Sequence, residues 1–285
     1  MQIVFNQVKA DYQLGPIRTA NIINEVNLLI ADQSFTAVIG PTGAGKSSLL
    51  KMINGLLLPS AGSIQVGEYS ITPSCKKQTL AAIRKRVGMV FQFPEHQLFA
   101  ETVEQDIGFG PTNFGFSREE TRLAVIESMG KVGLDPALLQ RSPFSLSGGQ
   151  QRRVAIAGII ATKPDVLVLD EPGAGLDPEG KREILTMIQE LHDNHKLTTV
   201  LVTHDMDDVV AYADNVVVMA NGQVMCQQKV EELFADKEAL VKWKIDLPEP
   251  LRIQRCIEEQ CGRAFSSASL TLEALADLLL KEYFA

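Results

Sequence analysis

An α/β fold organised around an anion-binding loop is what this sequence predicts, on three observations. The apolar run at residues 35–39 feeds directly into Gly40-Pro41-Thr42-Gly43-Ala44-Gly45-Lys46-Ser47, and a helical pattern opens behind it at Ser48. Residues 166–169 and 200–202 are continuous apolar runs, as in strands covered on both faces. Segments of helical period lie between and after them, among them the run beginning at Asp177-Pro178 with Ile184, Leu185, Ile188 and Leu191 on its inner side.

The loop has the Gly-x4-Gly-Lys-Ser spacing in a strand-turn-helix context, which predicts a nucleotide polyphosphate as ligand. Gly40, Gly43 and Gly45 open backbone angles that let consecutive amides turn toward a phosphate, and the helix behind them adds roughly half a positive charge. Lys46 is placed to reach the β- and γ-phosphates of ATP, and the Ser47 hydroxyl to ligate Mg²⁺. Pro41, Thr42, Ala44 and Ser48 complete the nucleotide-binding stretch.

The bounds are those of an ordinary globular chain. With 285 residues a large core is expected, and a formal charge of −8 argues against a nucleic-acid partner held by general basicity. No apolar run approaches about 18 residues, and residues 1–6 lack a signal peptide's basic start, so a cytosolic location is expected. Cys75, Cys226, Cys256 and Cys261 form no CxxC pair and read as reduced thiols.

Along the chain, Ile3, Phe5 and Val8 give a first strand and Val26, Leu28 and Ile30 a second. Between them, Tyr12 is either a half-buried strand-end aromatic or a ring that stacks on adenine. A turn at residues 59–62 and a strand at 64–66 form a small antiparallel annex. Residues 76–86 read as a basic-faced helix, and residues 87–91 as a strand ending at Gln92. Phe93, Leu98 and Phe99 then place three bulky apolar side chains in a segment broken by Pro94, either tucked under a helix or held open for a partner. Residues 102–109 and 118–132 are expected helices, the latter with Leu123, Ile126 and Val132 inside.

Ser147, Gly148, Gly149 and Gln150 stand directly ahead of a helix running to about Ala161, either as a cap or as a second anion site. Asp170-Glu171 ends the buried run at 166–169, where two carboxylates are costly without a cation, and the Mg²⁺ implied by Ser47 is the economical partner. His204 follows the run at 200–202. His192 and His195 lie on a charged helix end and read as a solvated face. Beyond Phe234 the pattern changes: residues 248–250 read as a stiff spacer, followed by helices at 251–261 and at 272–280, the latter with Leu272, Leu275 and Leu279 on one face.

Taken in order, the phosphate loop, Gln92, Leu146-Ser147-Gly148-Gly149-Gln150, Asp170-Glu171, Asp177 and His204 resemble the Walker A, Q-loop, signature, Walker B, D-loop and H-loop of the ATP-binding-cassette ATPases, over about residues 1–230. The segments at 90–99, 109–115, 152–158 and 171–178 resemble, more closely, the ATP-binding subunits of energy-coupling-factor importers, A-prime type. Gly173 departs from that pattern, which usually has Thr there, as does Ser48.

The resemblance implies a P-loop NTPase (RecA-like) core with an antiparallel β annex, an α-helical signature subdomain at about 93–160 and a C-terminal helical extension at 231–285, a lid on its own cassette or a dimer-stabilising element. It implies ATPase activity, with Glu171 acting on water, His204 contacting the γ-phosphate, Gln92 joining Ser47 and Asp170 at Mg²⁺, and Asp177 coupling two sites across a dimer seam. Implied partners are a second, paralogous cassette, an integral-membrane T-component taking a groove at Phe93, Leu98 and Phe99, and a substrate-binding S-component for vitamins or transition-metal ions. A cassette of another importer and a non-transport cassette are the alternatives. Against the latter, only about a hundred residues separate loop and signature, with no sustained heptads.

Overall fold

The computed structural model describes residues 1–14 and 17–283, with the side chains of residues 12–21 and 283 outside that description. The Tyr12 side chain therefore lies outside the described set. Two sheets carry the chain. β1 (Ile3–Leu14) and β2 (Ile17–Ile30) form a long antiparallel hairpin, joined by β4 (Ala61–Val66) and β5 (Tyr69–Ile71) in the order β2-β1-β4-β5. The second sheet runs β10-β9-β3-β8-β7-β6, from β3 (Phe35–Ile39), β6 (Val87–Val90), β7 (Val166–Asp170), β8 (Thr198–Val202), β9 (Asn215–Ala220) and β10 (Gln223–Lys229). Its strands pair in parallel except at the β9–β10 edge.

Burial explains why these runs are apolar throughout. All five residues of β3 and of β8 are buried, because helices or the other sheet cover both faces. Between the sheets, α1 (Lys46–Ile53) buries Leu49, Leu50, Met52 and Ile53. α2 (Lys77–Arg86) buries only Ile83, leaving its basic side in solvent. On the far face, α5 (Gly148–Ile160) and α6 (Pro178–His195) share a core with α3 (Val103–Asn113) and α4 (Arg118–Lys131). Each fully buried Leu, Ile or Val there contributes about 1.5–3 kcal/mol.

Several local expectations are corrected. α3 runs past Gly110-Pro111 to Asn113, and the Thr112 hydroxyl donates to the Gly108 carbonyl 2.8 Å away as the ladder passes Pro111. On α4, Val125 and Met129 point inward while Leu123 and Ile126 are exposed. His192 is buried rather than solvated, with its ring 5.2 Å from that of Phe35 and its Nδ1 3.0 Å from the Thr199 hydroxyl.

After β8, α7 (Met206–Tyr212) precedes β9, and α8 (Val230–Ala235) and α9 (Lys237–Trp243) follow β10 where no helix was expected. α10 (Glu249–Cys261) absorbs most of the supposed spacer, since proline is tolerated in a first helical turn. α11 (Leu272–Tyr283) buries Leu275 and Leu278 but exposes Leu272, contrary to the expected face. Leu251, Leu233 and Phe234 share a core with Ala37, Ile39, Val216 and Val218, so α8 and α10 pack on the β9 side of the sheet.

One buried charge fixes the helical layer to the sheet. Arg152, on α5, is 2% exposed, and its guanidinium makes two parallel bonds to the Glu95 carboxylate at 2.7 and 2.9 Å. Its remaining terminal nitrogen donates to the carbonyls of Pro172 and Ala174 at 3.0 and 2.9 Å. Burial raises the Glu95 pKa and the Arg152 bonds lower it, leaving it below its ordinary 4.5. That contribution is therefore present above the unfolded value and lost as pH falls through the folded one. Glu95→Gln is expected to destabilise the chain by roughly 3 kcal/mol at pH 7 in urea unfolding, with the difference from wild type shrinking below about pH 4.5. A loss independent of pH contradicts the ion pair.

Candidate functional site

Four of the six strands of the larger sheet, β3, β8, β7 and β6, are consecutive neighbours, and their carboxyl ends carry four of the motifs side by side. Adjacent strands lie about 4.8 Å apart, so the loop after β3, His204 after β8, Asp170-Glu171 after β7 and Gln92 after β6 are brought to one edge. Periodicity finds the strands singly, whereas their adjacency belongs to the fold.

The loop needs its first glycine for space as well as for angle. Gly40 has φ of 141°, and a Cβ there would lie 2.0 Å from the Met219 carbonyl oxygen on β9. Gly43 and Gly45 also hold positive φ, and Gly45 caps α1. Pro41, Thr42 and Gly43 are exposed, Ala44 is buried, and Ser48 lies in the first turn of α1.

Lys46 is 6% exposed and donates to the carbonyls of Gly40 and Pro41 at 2.7 and 3.0 Å. Two carbonyls thus hold a three-donor ammonium at the loop. Burial lowers its pKa, and the carboxylates of Glu171 and Asp170 oppose that shift. The Ser47 hydroxyl donates to Asp170 Oδ1 over 3.1 Å, across 123 residues of sequence.

Glu171 is the hub of the edge. The Gln92 amide donates to its Oε2 at 3.0 Å, and His204 Nε2 lies 2.9 Å from its Oε1. Its φ is +50°, held by its amide donating to the Val202 carbonyl at 3.1 Å and by its own carbonyl accepting from Ala174. A left-handed glutamate costs about 1–3 kcal/mol, and such angles cluster where side-chain aim matters.

Two predicted members stand apart from this edge. Ser147 and Gln150 close a reciprocal cap at the head of α5, with bonds of 3.3 and 3.1 Å, while Ser147, Gly148 and Gly149 are exposed. Among the described residues no hydrogen bond or ion pair joins them to the phosphate loop. Asp177 is exposed and caps α6, accepting from the Gly180 amide at 2.7 Å.

The expected partner groove is corrected at one position. Phe93 and Phe99 are exposed, but Leu98 is buried in the core beneath α3 and α5. Phe109 of α3 is exposed as well, its ring 4.8 Å edge-on from that of Phe99. Sequence reasoning also missed Glu95, Arg152 and Lys181, although a doubly charged Arg152-Arg153 in an otherwise apolar helix was a visible signal. A larger cavity of about 890 Å³ lies at the opposite end of the sheet, near Met1, Asp32, Arg86 and Asp165. It shares no residue with the site.

This geometry agrees with the comparisons to known proteins. Residues 23–174 match the family model described as "ABC transporter". The chain is 49% identical to the energy-coupling factor transporter ATP-binding protein EcfA2 of Bacillus cereus, over 96% of this chain and 94% of that one. It is 47% identical to EcfA2 of Enterococcus faecalis, over 99% and 97%. The solved structure of cbiO1 from Clostridium perfringens, part of the ABC transporter complex cbiONQ, superimposes with a TM-score of 0.73 at 35% identity, over 90% of this chain and 98% of that one. A dimeric, post-hydrolysis structure of the cassette MJ0796 bound to ADP and Pi superimposes at 0.70 with 26% identity, over 80% and 98%. With a P-loop NTPase fold, an ATP-binding loop and an acidic strand end assembled at one edge, the chain belongs to the ABC transporter ATPases, and among them to the energy-coupling factor transporter ATP-binding proteins.

Proposed function

We propose that this chain is the ATP-hydrolysing subunit of an importer at the cytoplasmic face of the cell membrane, driving uptake of vitamins or transition-metal ions through a membrane T-component and a substrate-binding S-component. The observation that carries the reading is the Glu171 carboxylate, held at both oxygens by Gln92 and His204 beside the Ser47–Asp170 pair. No helix among the described residues is long and apolar enough to cross a membrane.

In this reading the loop amides, the α1 N-terminus and Lys46 neutralise the phosphates. Glu171 orients and accepts a proton from water, and His204 contacts the γ-phosphate while holding Glu171 in line. Ser47, Asp170 and Gln92 offer oxygen donors with a single carboxylate, a set that suits Mg²⁺ when substrate phosphates supply the remaining ligands. When bound there, Mg²⁺ supplies charge neutralisation at those phosphates.

The exposed Ser147, Gly148 and Gly149 would close on the γ-phosphate bound to a second, paralogous cassette, with Asp177 at the seam. Residues 1–230 would then act as the cassette and residues 231–285 as an extension stabilising the pair. Phe93, Phe99 and Phe109 form the apolar surface offered to the T-component.

Glu171→Gln is expected to lower steady-state ATP turnover by roughly 10²- to 10⁴-fold while ATP affinity persists, and hydrolysis near the wild-type rate removes Glu171 as the base. His204→Ala should slow hydrolysis by about two to three orders of magnitude, and a change under about threefold contradicts its contact with the reacting phosphate. Replacing Phe93 and Phe99 with Asp should abolish co-purification with the membrane chain in mild detergent while nucleotide binding stays intact. Retained co-purification refutes the groove.

A further inference from the structure

Gly173 occupies a position where backbone angle does not require glycine, because its φ lies outside the left-handed region. What requires it is space. A Cβ at 173 would sit 2.6 Å from Cγ of Lys181 and 3.4 Å from its Cβ and Cδ, so the Lys181 stem is its nearest neighbour. The Lys181 stem, in the first turns of α6, therefore lies directly over the backbone two residues beyond Glu171.

The ammonium at the end of that stem reaches the other side of the site. It lies 2.5 Å from Asp205 Oδ2 and 2.8 Å from Asp208 Oδ2. The same Asp208 oxygen accepts from the Thr203 hydroxyl at 3.0 Å, and that hydroxyl accepts from the Asp205 amide at 3.1 Å. Asp205 in turn caps α7 through the Asp207 amide at 3.0 Å. Both chain neighbours of His204 are thus tied into one network centred on Lys181, while the His204 ring meets Glu171 at 2.9 Å.

A cation bridging two carboxylates at 26% side-chain exposure is less screened than a surface pair, so the network constrains geometry where an exposed one would not. On the proposed roles of Glu171 and His204, we infer that Lys181 is a positioning residue: a strut crossing the clearance left by Gly173, which holds the His204 segment against the Glu171 segment. Because Asp177 caps α6, the strut also ties the helix at the proposed seam to His204.

The test is a double-mutant cycle on the full-length chain co-purified with its partners, reading kcat and KM for ATP hydrolysis and nucleotide affinity. Lys181→Ala is expected to lower kcat roughly ten- to a hundredfold, as small misplacements of catalytic groups do, with KM and ATP affinity within twofold. Gly173→Ala, which must push the Lys181 stem aside, is expected to lower kcat in the wild-type background and to have no further effect in Lys181→Ala, where Cγ is gone. Lys181→Met, which keeps the stem and removes the ammonium, should lower kcat similarly if Lys181→Ala folds poorly. Wild-type kcat in Lys181→Ala or Lys181→Met, additive effects of the two substitutions, or equal losses of affinity and kcat would each overturn the strut. If the wild-type complex hydrolyses no ATP, the transport-ATPase reading fails and the inference falls with it, whereas an additive cycle in an active complex removes the inference alone.

Discussion

A chain of formal charge −8 holds a triphosphate only where donors converge locally, and everything in the site follows from that convergence at the carboxyl end of β3. The loop turns its amides inward because Gly40 passes so close to Met219 on β9 that no side chain fits. Lys46 keeps its ammonium there through two loop carbonyls, at a cost in desolvation that the facing carboxylates of Glu171 and Asp170 offset. The sheet order then places both carboxylates at the end of β7, two strands from β3, with His204 after the β8 strand between them.

Arg152 explains how the helical layer is kept in register with this edge. A buried guanidinium is tolerated only when its donors are satisfied, and here the partners come from two segments, Glu95 after Gln92 and the carbonyls of Pro172 and Ala174 after Glu171, while the arginine itself rides on α5, whose head carries the signature. On the proposed docking at Phe93 and Phe99, a displacement there would meet the Glu171 segment and α5 through this one side chain.

Much of this was legible in the sequence, because phosphate loops, caps and buried parallel strands are written in contiguous residues. Gly40 to Ser47, the reciprocal cap at Ser147 and Gln150, and the strand at 166–170 are local features whose chemistry does not depend on distant neighbours. Across the chain, the pairing of Ser47 with Asp170 over 123 residues was reached through the Mg²⁺ expected of both, whereas Glu95 with Arg152, 57 residues apart, had no such shared ligand to reveal it. Facing was the other failure. Leu98 and Phe99 are adjacent and equally apolar, yet one fills a core and the other is open, and Leu123 and Ile126 look like core residues until α4 is seen to present Val125 and Met129 instead. His192 looked solvated because its neighbours are charged, whereas the packing of Phe35 and Thr199 decides its burial.

Among the described residues the exposed serine-glycine tip of α5 makes no hydrogen bond to its own phosphate loop, and the central claim of the proposed function is that two cassettes share each nucleotide. Sedimentation of the Glu171→Gln chain with its cognate second cassette, with and without ATP, tests it most directly. The account predicts a tight dimer that appears only with ATP. Species that stay monomeric at saturating nucleotide would contradict it.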